Sequence, residues 1–316
     1  MTKKNILITG GAGFIGSHLT DKLLSFGHEV VCMDNFDNFY CKTIKVHNMD
    51  KAITNKKFHL LERDICDKKQ LDHCFRSFPI DIVIHLAAKA GVRPSIADPH
   101  GYYLTNVLGT LNLLEAMKIH GVTKMIFASS SSVYGNNPNV PFSETDFVDN
   151  PISPYASSKK AAELLCHTYH HLYAFDIFCL RFFTVYGPRQ RPDLAIHKFT
   201  EMILSDQPIP VFGDGSSSRD YTYIDDIVDG LVKAADRVKG YEIINLGESR
   251  TVSLNRMIET IENEIGKKAK KVEYPMQPGD VVTTFADISK AKLLLDYSPY
   301  WNFEDGIKKF IEWKTS

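Results

Sequence analysis

The sequence lacks several features that would each point to a particular class of protein. Its six cysteines are scattered without a Cys-x-x-Cys pair, which argues against a disulfide framework or a zinc site and favours reduced, buried thiols. Neither sign of charge is in excess, since 37 basic residues face 38 acidic ones, so no overall positive field is present to hold a nucleic acid or an anionic membrane. No apolar run is long enough for a signal peptide or a membrane span. We therefore expect a cytoplasmic protein whose anionic ligands are small and bound locally.

The composition is that of a globular protein, with 44% hydrophobic and 24% charged residues. Its 316 residues predict about two domains. Up to about residue 181, apolar runs of strand length alternate with segments of helical periodicity, which is typical of a parallel sheet covered on both faces. The predicted strands are Asn5 to Thr9, Glu29 to Met33, Lys57 to Leu61, Asp81 to His85, Lys124 to Ala128 and Asp176 to Arg181.

A glycine-rich turn follows the first predicted strand and opens a predicted helix. Gly10, Gly13 and Gly16 are spaced three residues apart, which suits a tight turn, close approach of a pyrophosphate and close packing of helix on strand. The start of the helix presents free N–H groups to the phosphates. The pattern predicts an α/β fold with a Rossmann-like, doubly wound parallel sheet that binds a dinucleotide.

An acidic residue at the end of the second strand indicates which dinucleotide is bound. Asp34 lies 18 residues after Gly16, where a carboxylate accepts hydrogen bonds from a ribose hydroxyl. Asn35 follows it, and no Lys or Arg occurs before Lys42, so a 2′-phosphate would be repelled without compensation and NAD is favoured over NADP. Asp64, after the third strand, is either an adenine contact or a helix cap.

Proline and glycine become frequent after residue 181, and the regular alternation stops. We predict an NAD-binding domain over residues 1–184 and a smaller α/β nucleotide-sugar-binding domain over residues 185–316. Residues 220–247 contain one more helix and strand, which we expect to return to the first domain's sheet.

Tyr155 and Lys159 share one face of a predicted helix because they are four residues apart. The helix follows the serine run 129–132, at the sheet edge where ligands bind in such folds. Tyrosine has a pKa near 10, and acting as a base at neutral pH requires lowering it by about 3 units, of which one adjacent cation supplies about 1 to 3. We expect Lys159 and the positive charge of an oxidised nicotinamide to lower it together.

These motifs together resemble the extended short-chain dehydrogenase/reductase family, and the likeness runs over almost the whole chain. The resemblance rests on GGAGFIG at 10–16, Asp34, HLAA at 85–88, the serine run before VYG at 133–135, and Tyr155 with Lys159. Three longer strings are more specific and resemble those of UDP-glucuronate 4-epimerases: AGVR at 90–93, RFFTVYGPRQRP at 181–192 and RDYTYIDD at 219–226.

The resemblance implies an NAD-dependent nucleotide-sugar 4-epimerase, an isomerase without a metal and with a homodimeric assembly. Its catalytic residues would be Tyr155, Lys159 and Ser130. Tyr155 and Lys159 would also contact the cofactor, together with Gly10, Gly13, Phe14, Ile15, Gly16, Asp34, Asn35, Asp64, Ile65, Leu86, Ala87, Ala88 and Lys89. The UDP-sugar would be bound by Arg93, Ser131, Ser132, Thr184, Arg191, Arg219 and Asp280. Gln277 departs from the family pattern, because an arginine often stands there.

The serine run separates the possible reactions. In the resembling 4,6-dehydratases the positions of Ser131 and Ser132 hold Asp and Glu, and in the decarboxylases the second is Glu. Hydroxyls at both positions favour epimerisation of UDP-glucuronate to UDP-galacturonate through a 4-keto sugar that turns over and is reduced on its other face. The alternatives are a UDP-glucose or UDP-N-acetylglucosamine 4-epimerase, for which the small Thr284 would leave room, and, less favoured, a 4,6-dehydratase or a non-catalytic NAD-binding protein.

Overall fold

The structure is a computed structural model that describes residues 2–275 and 283–316. Seven parallel strands form the main sheet, in the order β11-β6-β5-β4-β1-β2-β3. The strands are β1 (Asn5–Thr9), β2 (Glu29–Asp34), β3 (Phe58–Glu62), β4 (Ile82–His85), β5 (Lys124–Ser130), β6 (Asp176–Phe182), β7 (Thr184–Tyr186), β8 (Ile209–Phe212), β9 (Ser218–Arg219), β10 (Tyr221–Tyr223), β11 (Tyr241–Leu246), β12 (Val252–Ser253) and β13 (Lys271–Tyr274).

Helices cover both faces of this sheet, and the doubly wound fold expected from the alternating pattern is confirmed. They are α1 (Phe14–Ser25), α2 (Lys42–Asn48), α3 (Asp50–Ile53), α4 (Lys68–Ser77), α5 (Val92–Ala97), α6 (Pro99–Tyr103), α7 (Thr110–Ile119), α8 (Pro154–Tyr173), α9 (Ala195–Leu204), α10 (Ile224–Arg237), α11 (Leu254–Ile265), α12 (Ser289–Leu295) and α13 (Phe303–Thr315). A π-helical turn (Leu104–Gly109) joins α6 to α7, and a 3₁₀ turn (Ser131–Tyr134) follows β5.

The central strands are apolar on both faces because helices cover both sides. Residues 6–8 of β1 and 82–84 of β4 are almost fully buried, and the two segments pair in parallel register. The chain runs outward from β1 to β2 and β3 and then returns to β4 on the other side. The neighbouring carboxyl ends of β1 and β4 are therefore the point where strand order reverses, and ligands of such folds bind in the crevice there.

The second part of the chain forms three small two-stranded sheets beside the main one: β7 with β10, β8 with β13 and β9 with β12. Strand β11 lies in the main sheet next to β6, in parallel register from Tyr241 opposite Ile177 to Leu246 opposite Phe182. The boundary between a domain of residues 1–184 and one of residues 185–316 stays a prediction. Within the described residues, no helix combines the length and the apolar character that a membrane crossing needs.

Candidate active site

One cleft of about 420 Å³ opens at the carboxyl ends of the central strands. It brings together the glycine turn after β1, the ends of β2 and β3, the loop after β4, the serine run after β5 and the first turns of α8. All of the predicted cofactor residues line it: Gly10, Gly13, Phe14, Ile15, Gly16, Asp34, Asn35, Asp64, Ile65, Leu86, Ala87, Ala88, Lys89, Tyr155 and Lys159.

The glycine turn is fixed by close contacts that exclude a side chain. Gly10 has a φ of +72°, and a Cβ there would lie 2.7 Å from the backbone nitrogen of Ala87 in the loop after β4. A Cβ on Gly16 would collide with the carbonyl oxygen of Gly10. Gly13 is the N-cap of α1. Because it has no side chain to accept from the first N–H groups of the helix, these groups face the cleft. This cradle fits the phosphates of a dinucleotide.

Asp34 is buried at the end of β2, where its carboxylate accepts hydrogen bonds from the backbone N–H groups of Ala12 at 3.1 Å and Phe36 at 2.8 Å. A cation nevertheless acts on this carboxylate, because the buried Lys45 of α2 lies close enough to affect it. The positive charge of Lys45 lowers the pKa of Asp34, although burial has the larger effect and raises the pKa overall. Asp64 accepts from Asn35 at 3.0 Å and from the N–H of Cys66 at 2.8 Å, so it caps a local turn within the cleft wall.

The loop after β4 is held by a buried asparagine that the sequence did not single out. Asn106 lies in the π-helical turn, accepts from the backbone N–H of Lys89 at 2.8 Å and donates to its carbonyl at 2.9 Å. Its amide also lies 2.9 Å from the hydroxyl of Ser158 on α8. Such π-turns occur often at functional sites, and this one ties the loop after β4 to the helix that carries Tyr155. The Lys89 ammonium pairs with Asp98 at 3.2 Å.

Tyr155 and Ser130 meet at the inner end of the cleft because α8 packs across the ends of β5 and β6. Ser153 caps α8 by accepting from the N–H of Ala156, and this places Tyr155 in the first turn. Ser130 ends β5, and its hydroxyl lies 3.1 Å from both the N–H and the hydroxyl of Ser132. Hydrogen bonding from Ser130 lowers the pKa of Tyr155, but burial outweighs it and raises that pKa above 10.

The Lys159 ammonium donates to the carbonyl of Ala128 at 2.7 Å and lies 5.0 Å from the ring centre of Phe127. The cation that lowers the pKa of the Tyr155 phenol in this structure is Arg191. Burial lowers the pKa of Lys159 itself to about 8. The joint effect of Lys159 and an oxidised nicotinamide on Tyr155 stays a prediction. With burial as the larger effect, Tyr155 is a protonated phenol at neutral pH.

Beside Tyr155 and Ser130 the cleft is lined by hydroxyls and one guanidinium, which belong to Ser131, Ser132, Thr184 and Arg191. Arg191 forms a two-point ion pair with Asp193, with distances of 2.9 and 2.8 Å, and lies 5.2 Å from the ring centre of Phe39. The carboxylates among the described lining residues are Asp34, Asp37 and Asp64. Asp34 ends β2, Asp37 comes shortly after it and Asp64 comes after β3, so the described wall beside Tyr155 is free of acidic side chains.

Two predicted substrate residues are not among the described lining residues of this cleft, and a third lies outside the residues that the structure describes. The Arg93 guanidinium lies 4.6 Å from the ring centre of Phe212, and neither Arg93 nor Arg219 is among the described lining residues. Arg219 follows Ser218, whose hydroxyl is 3.1 Å from that of Thr283, the first residue described after the gap. Asp280 and the divergent Gln277 lie outside the described residues.

Thr284 does not line the described cleft wall, and its buried hydroxyl accepts from the N–H of Asp220 at 3.2 Å. Conversely, the cleft includes Tyr40 and Lys45, which sequence reasoning missed. The Lys45 ammonium lies 4.8 Å from the Tyr40 ring centre. The available signal was a loop of aromatic and acidic residues directly after Asp34, which is unusual for a plain connection.

Comparisons with known proteins agree with this geometry. The family model described as GDP-mannose 4,6 dehydratase matches residues 7–310. A UDP-glucuronate 4-epimerase of Thermodesulfobacterium geofontis is 47% identical over 309 residues, which cover 97% of this chain and 95% of that protein.

Two solved structures share the fold along the whole chain. The UDP-glucuronic acid 4-epimerase of Bacillus cereus, in complex with UDP-glucuronic acid and NAD, is 40% identical with a TM-score of 0.93, covering 98% of this chain and 99% of that one. The UDP-glucose 4-epimerase of Thermotoga maritima with UDP-glucose is 34% identical with a TM-score of 0.91, covering 98% of both chains.

Proposed function

The chain belongs to the GDP-mannose 4,6 dehydratase family, within the extended short-chain dehydrogenases/reductases, and from this premise we propose that it is an NAD-dependent UDP-glucuronate 4-epimerase. It interconverts UDP-glucuronate and UDP-galacturonate by oxidation at C4′, rotation of the 4-keto sugar and reduction on its other face. Relatives with this activity match nearly all of the chain, and a related structure holds both UDP-glucuronic acid and NAD.

The observation that carries the proposal is the wall beside Tyr155, whose described lining residues include no carboxylate. Elimination across C5′ and C6′ needs a carboxyl group as acid or base, and the described wall offers Ser131, Ser132 and Thr184 instead. These hydroxyls and the Arg191 guanidinium suit the glucuronate carboxylate, which an acidic side chain would repel. The family description names a dehydratase, but this part of the cleft favours an epimerase.

Two side chains of the protein, Tyr155 and Ser130, carry out proton transfer at O4′. Tyr155 takes the O4′ proton and later returns it, while Ser130 hydrogen-bonds to the same oxygen and orients it. NAD, when bound, supplies the acceptor and donor of the C4′ hydride and a positive charge. The glycine turn, the start of α1 and Asp34 hold it, and the buried Lys159 lines the same cleft. Since burial raises the pKa of Tyr155, its use as a base requires added positive charge in the cleft.

The substrate also needs protection against an unwanted reaction. Oxidation at C4′ of glucuronate gives a β-keto acid, which tends to lose carbon dioxide. Ser131, Ser132, Thr184 and Arg191 hold the carboxylate away from the geometry of cleavage, with Arg191 exchanging Asp193 for the substrate anion. Arg219 and Asp280 are proposed to bind the UDP portion, and Arg93 to complete the substrate site.

We also propose a homodimer in the cytoplasm. The helices from Pro99 to Ile119 pack beside α8, and both expose large apolar side chains that a second copy of these helices would cover: Tyr103, Leu104, Leu108, Leu164 and Leu172. The six cysteines are free, as suits a reducing compartment. Light scattering of the purified protein tests the assembly, and a mass of about one chain would contradict it.

Separate incubation with UDP-glucuronate, UDP-glucose and UDP-N-acetylglucosamine, followed by NMR of the anomeric protons, tests the function. We expect the galacto product from UDP-glucuronate. Conversion of only UDP-glucose or only UDP-N-acetylglucosamine would show that this sugar nucleotide, and not UDP-glucuronate, is the substrate. Accumulation of a 4-keto-6-deoxy sugar would overturn the proposal in favour of a dehydratase. NADH added to the assay should not be consumed, because the reaction is redox-neutral.

A further inference from the structure

A buried ion pair lies directly behind the catalytic groups and has no part in the mechanism so far. Glu163 follows Lys159 by one turn of α8, and both Glu163 and Arg181 of β6 have 1% of their side chains exposed. The Glu163 carboxylate accepts from Arg181 Nε and Nη2, each at 2.9 Å, and from the hydroxyl of Ser129 at 2.5 Å. Three hydrogen bonds therefore converge on one carboxylate.

These bonds connect the elements that carry the catalytic residues. Ser129 immediately precedes Ser130 on β5 and lies opposite Arg181 in the register of β5 and β6. The Arg181 guanidinium also lies 4.8 Å from the ring centre of Tyr134, which closes the 3₁₀ turn of Ser131 and Ser132. Glu163 thus links α8 to the strand end and to the turn that line the sugar side of the cleft.

Glu163 also acts on Lys159. Burial lowers the pKa of Lys159, and the neighbouring Cys166 and Glu163 oppose this. The other titratable groups around the ammonium are the thiols of Cys166 on α8 and Cys179 on β6 and the ring of His85 on β4. Burial raises the pKa of the Cys166 thiol. The pKa of His85 is lowered to about 3 by burial, so this ring is neutral. Arg181 balances the charge of Glu163 through two hydrogen bonds, since a buried charge without a partner is costly.

We propose that Glu163 is a positioning residue of the 4-epimerase reaction, holding the Ser130 end of β5 against α8 one helical turn from Lys159. The proposal rests on the proposed function for the roles of Ser130 and Lys159. Stability alone does not account for the pair, because a buried ion pair is often no more stabilising than apolar residues of the same size. Its position between β5 and α8, the two elements that carry the catalytic residues, accounts for it.

The charge effect is measured without turnover, by NMR titration of protein carrying ¹³C-labelled lysine, with Lys159→Met to assign the signal. Glu163→Gln keeps the size of the side chain and removes its charge, while Arg181 stays cationic. We expect the pKa of Lys159 to fall by about one unit. An unchanged pKa in a folded Glu163→Gln protein would overturn the proposal.

The matched control is Tyr169→Phe. Tyr169 also lies on α8, and the change removes its hydrogen bond to Glu115 of α7, at a site remote from the cleft. It should lower the unfolding temperature and leave the pKa of Lys159 unchanged. A shift as large as that of Glu163→Gln would show that loosening α8 is sufficient, and would overturn a specific role for Glu163.

Ser129→Ala tests the link to β5 and serves if Glu163→Gln fails to fold. It removes one hydrogen bond and leaves the ion pair in place. We expect kcat to fall about 10-fold with KM and NAD affinity unchanged, because misplacing a reacting group reduces turnover first. Unchanged kcat would contradict the proposal. If the wild-type protein is inactive but Glu163→Gln still lowers the pKa of Lys159, the proposed function is overturned instead. The two failures are therefore distinguishable.

Discussion

The two ends of the cleft are built from different parts of the polypeptide. The cofactor end depends on the backbone, because Gly10 and Gly16 leave no room for a side chain and the start of α1 offers bare N–H groups. The sugar end depends on side chains at the ends of strands and on loops, among them Ser132, Thr184 and Arg191. Changes at the first end should therefore affect folding and cofactor binding, whereas changes at the second should affect the reaction and its product.

Tyr155→Phe should have the largest effect and leave the cofactor end intact. The ring remains and the phenol is lost, so we expect the rate of epimerisation to fall by about 10³-fold, with NAD affinity within a factor of about two. Turnover by NMR and NAD binding by calorimetry check the two parts. Substantial residual activity would show that another group acts as the base.

Gly10→Ala tests the backbone end. The new methyl group would lie 2.7 Å from the Ala87 nitrogen at a φ of +72°, so we expect a loss of about 2 to 4 kcal/mol of unfolding free energy and weak NAD binding. Gly121→Ala is the control, because Gly121 has the same φ of +72° with nothing within 4 Å of a Cβ. It should cost about 1 kcal/mol and leave NAD binding unchanged. Equal losses in both variants would mean that strain in φ, and not the contact with the β4 loop, is decisive.

Ser132→Glu should change the product rather than abolish the reaction. The new carboxylate repels the glucuronate carboxylate and supplies an acid or base, so we expect KM to rise about 10-fold and carbon dioxide loss to yield a UDP-pentose. Ser132→Gln has the same size without the charge and should yield no pentose. An unaltered product profile in Ser132→Glu would place residue 132 away from the substrate carboxylate.

The smallest effect is expected after β11, where the second part of the chain meets the sheet. Burial, with Asp226 and Asp220 nearby, raises the pKa of Glu248 to about 8. The folded protein therefore binds this proton more tightly than the unfolded chain, and the stability it contributes below pH about 4.5 is lost as the pH rises to about 8. Glu248→Gln should gain about 2 kcal/mol of unfolding free energy at pH 9 relative to pH 5.

Chemical denaturation at both pH values measures that gain, with the exposed Glu264→Gln as control. A gain of the same size at pH 5 and pH 9 would show that packing, and not the buried charge, is responsible. Such a result would also mean that Glu248 does not make the stability of this part of the chain depend on pH.

The sequence predicted the backbone end of the cleft well, because its information is local. The strand Asn5–Thr9 is found at the expected bounds, and Gly10, Gly13 and Gly16 stand where strand and helix require them. Lys45 was missed because it returns to Asp34 from α2, and no spacing rule predicts that return. The contact of the Lys159 ammonium with the carbonyl of Ala128 was not predicted, because four-residue spacing places two side chains on one face of a helix without fixing where their ends point. The ion pair of Glu163 with Arg181 joins a helix to a strand 18 residues later, so it too required the tertiary structure.

The central claim is that the hydrogen at C4′ leaves the sugar and returns to it without exchange with water. UDP-glucuronate carrying deuterium at C4′, converted in ordinary water and analysed by NMR and mass spectrometry, tests this directly. The account predicts UDP-galacturonate that retains the deuterium at C4′. Replacement of that deuterium by solvent hydrogen would contradict hydride transfer and return, and with it the roles assigned to Tyr155 and NAD.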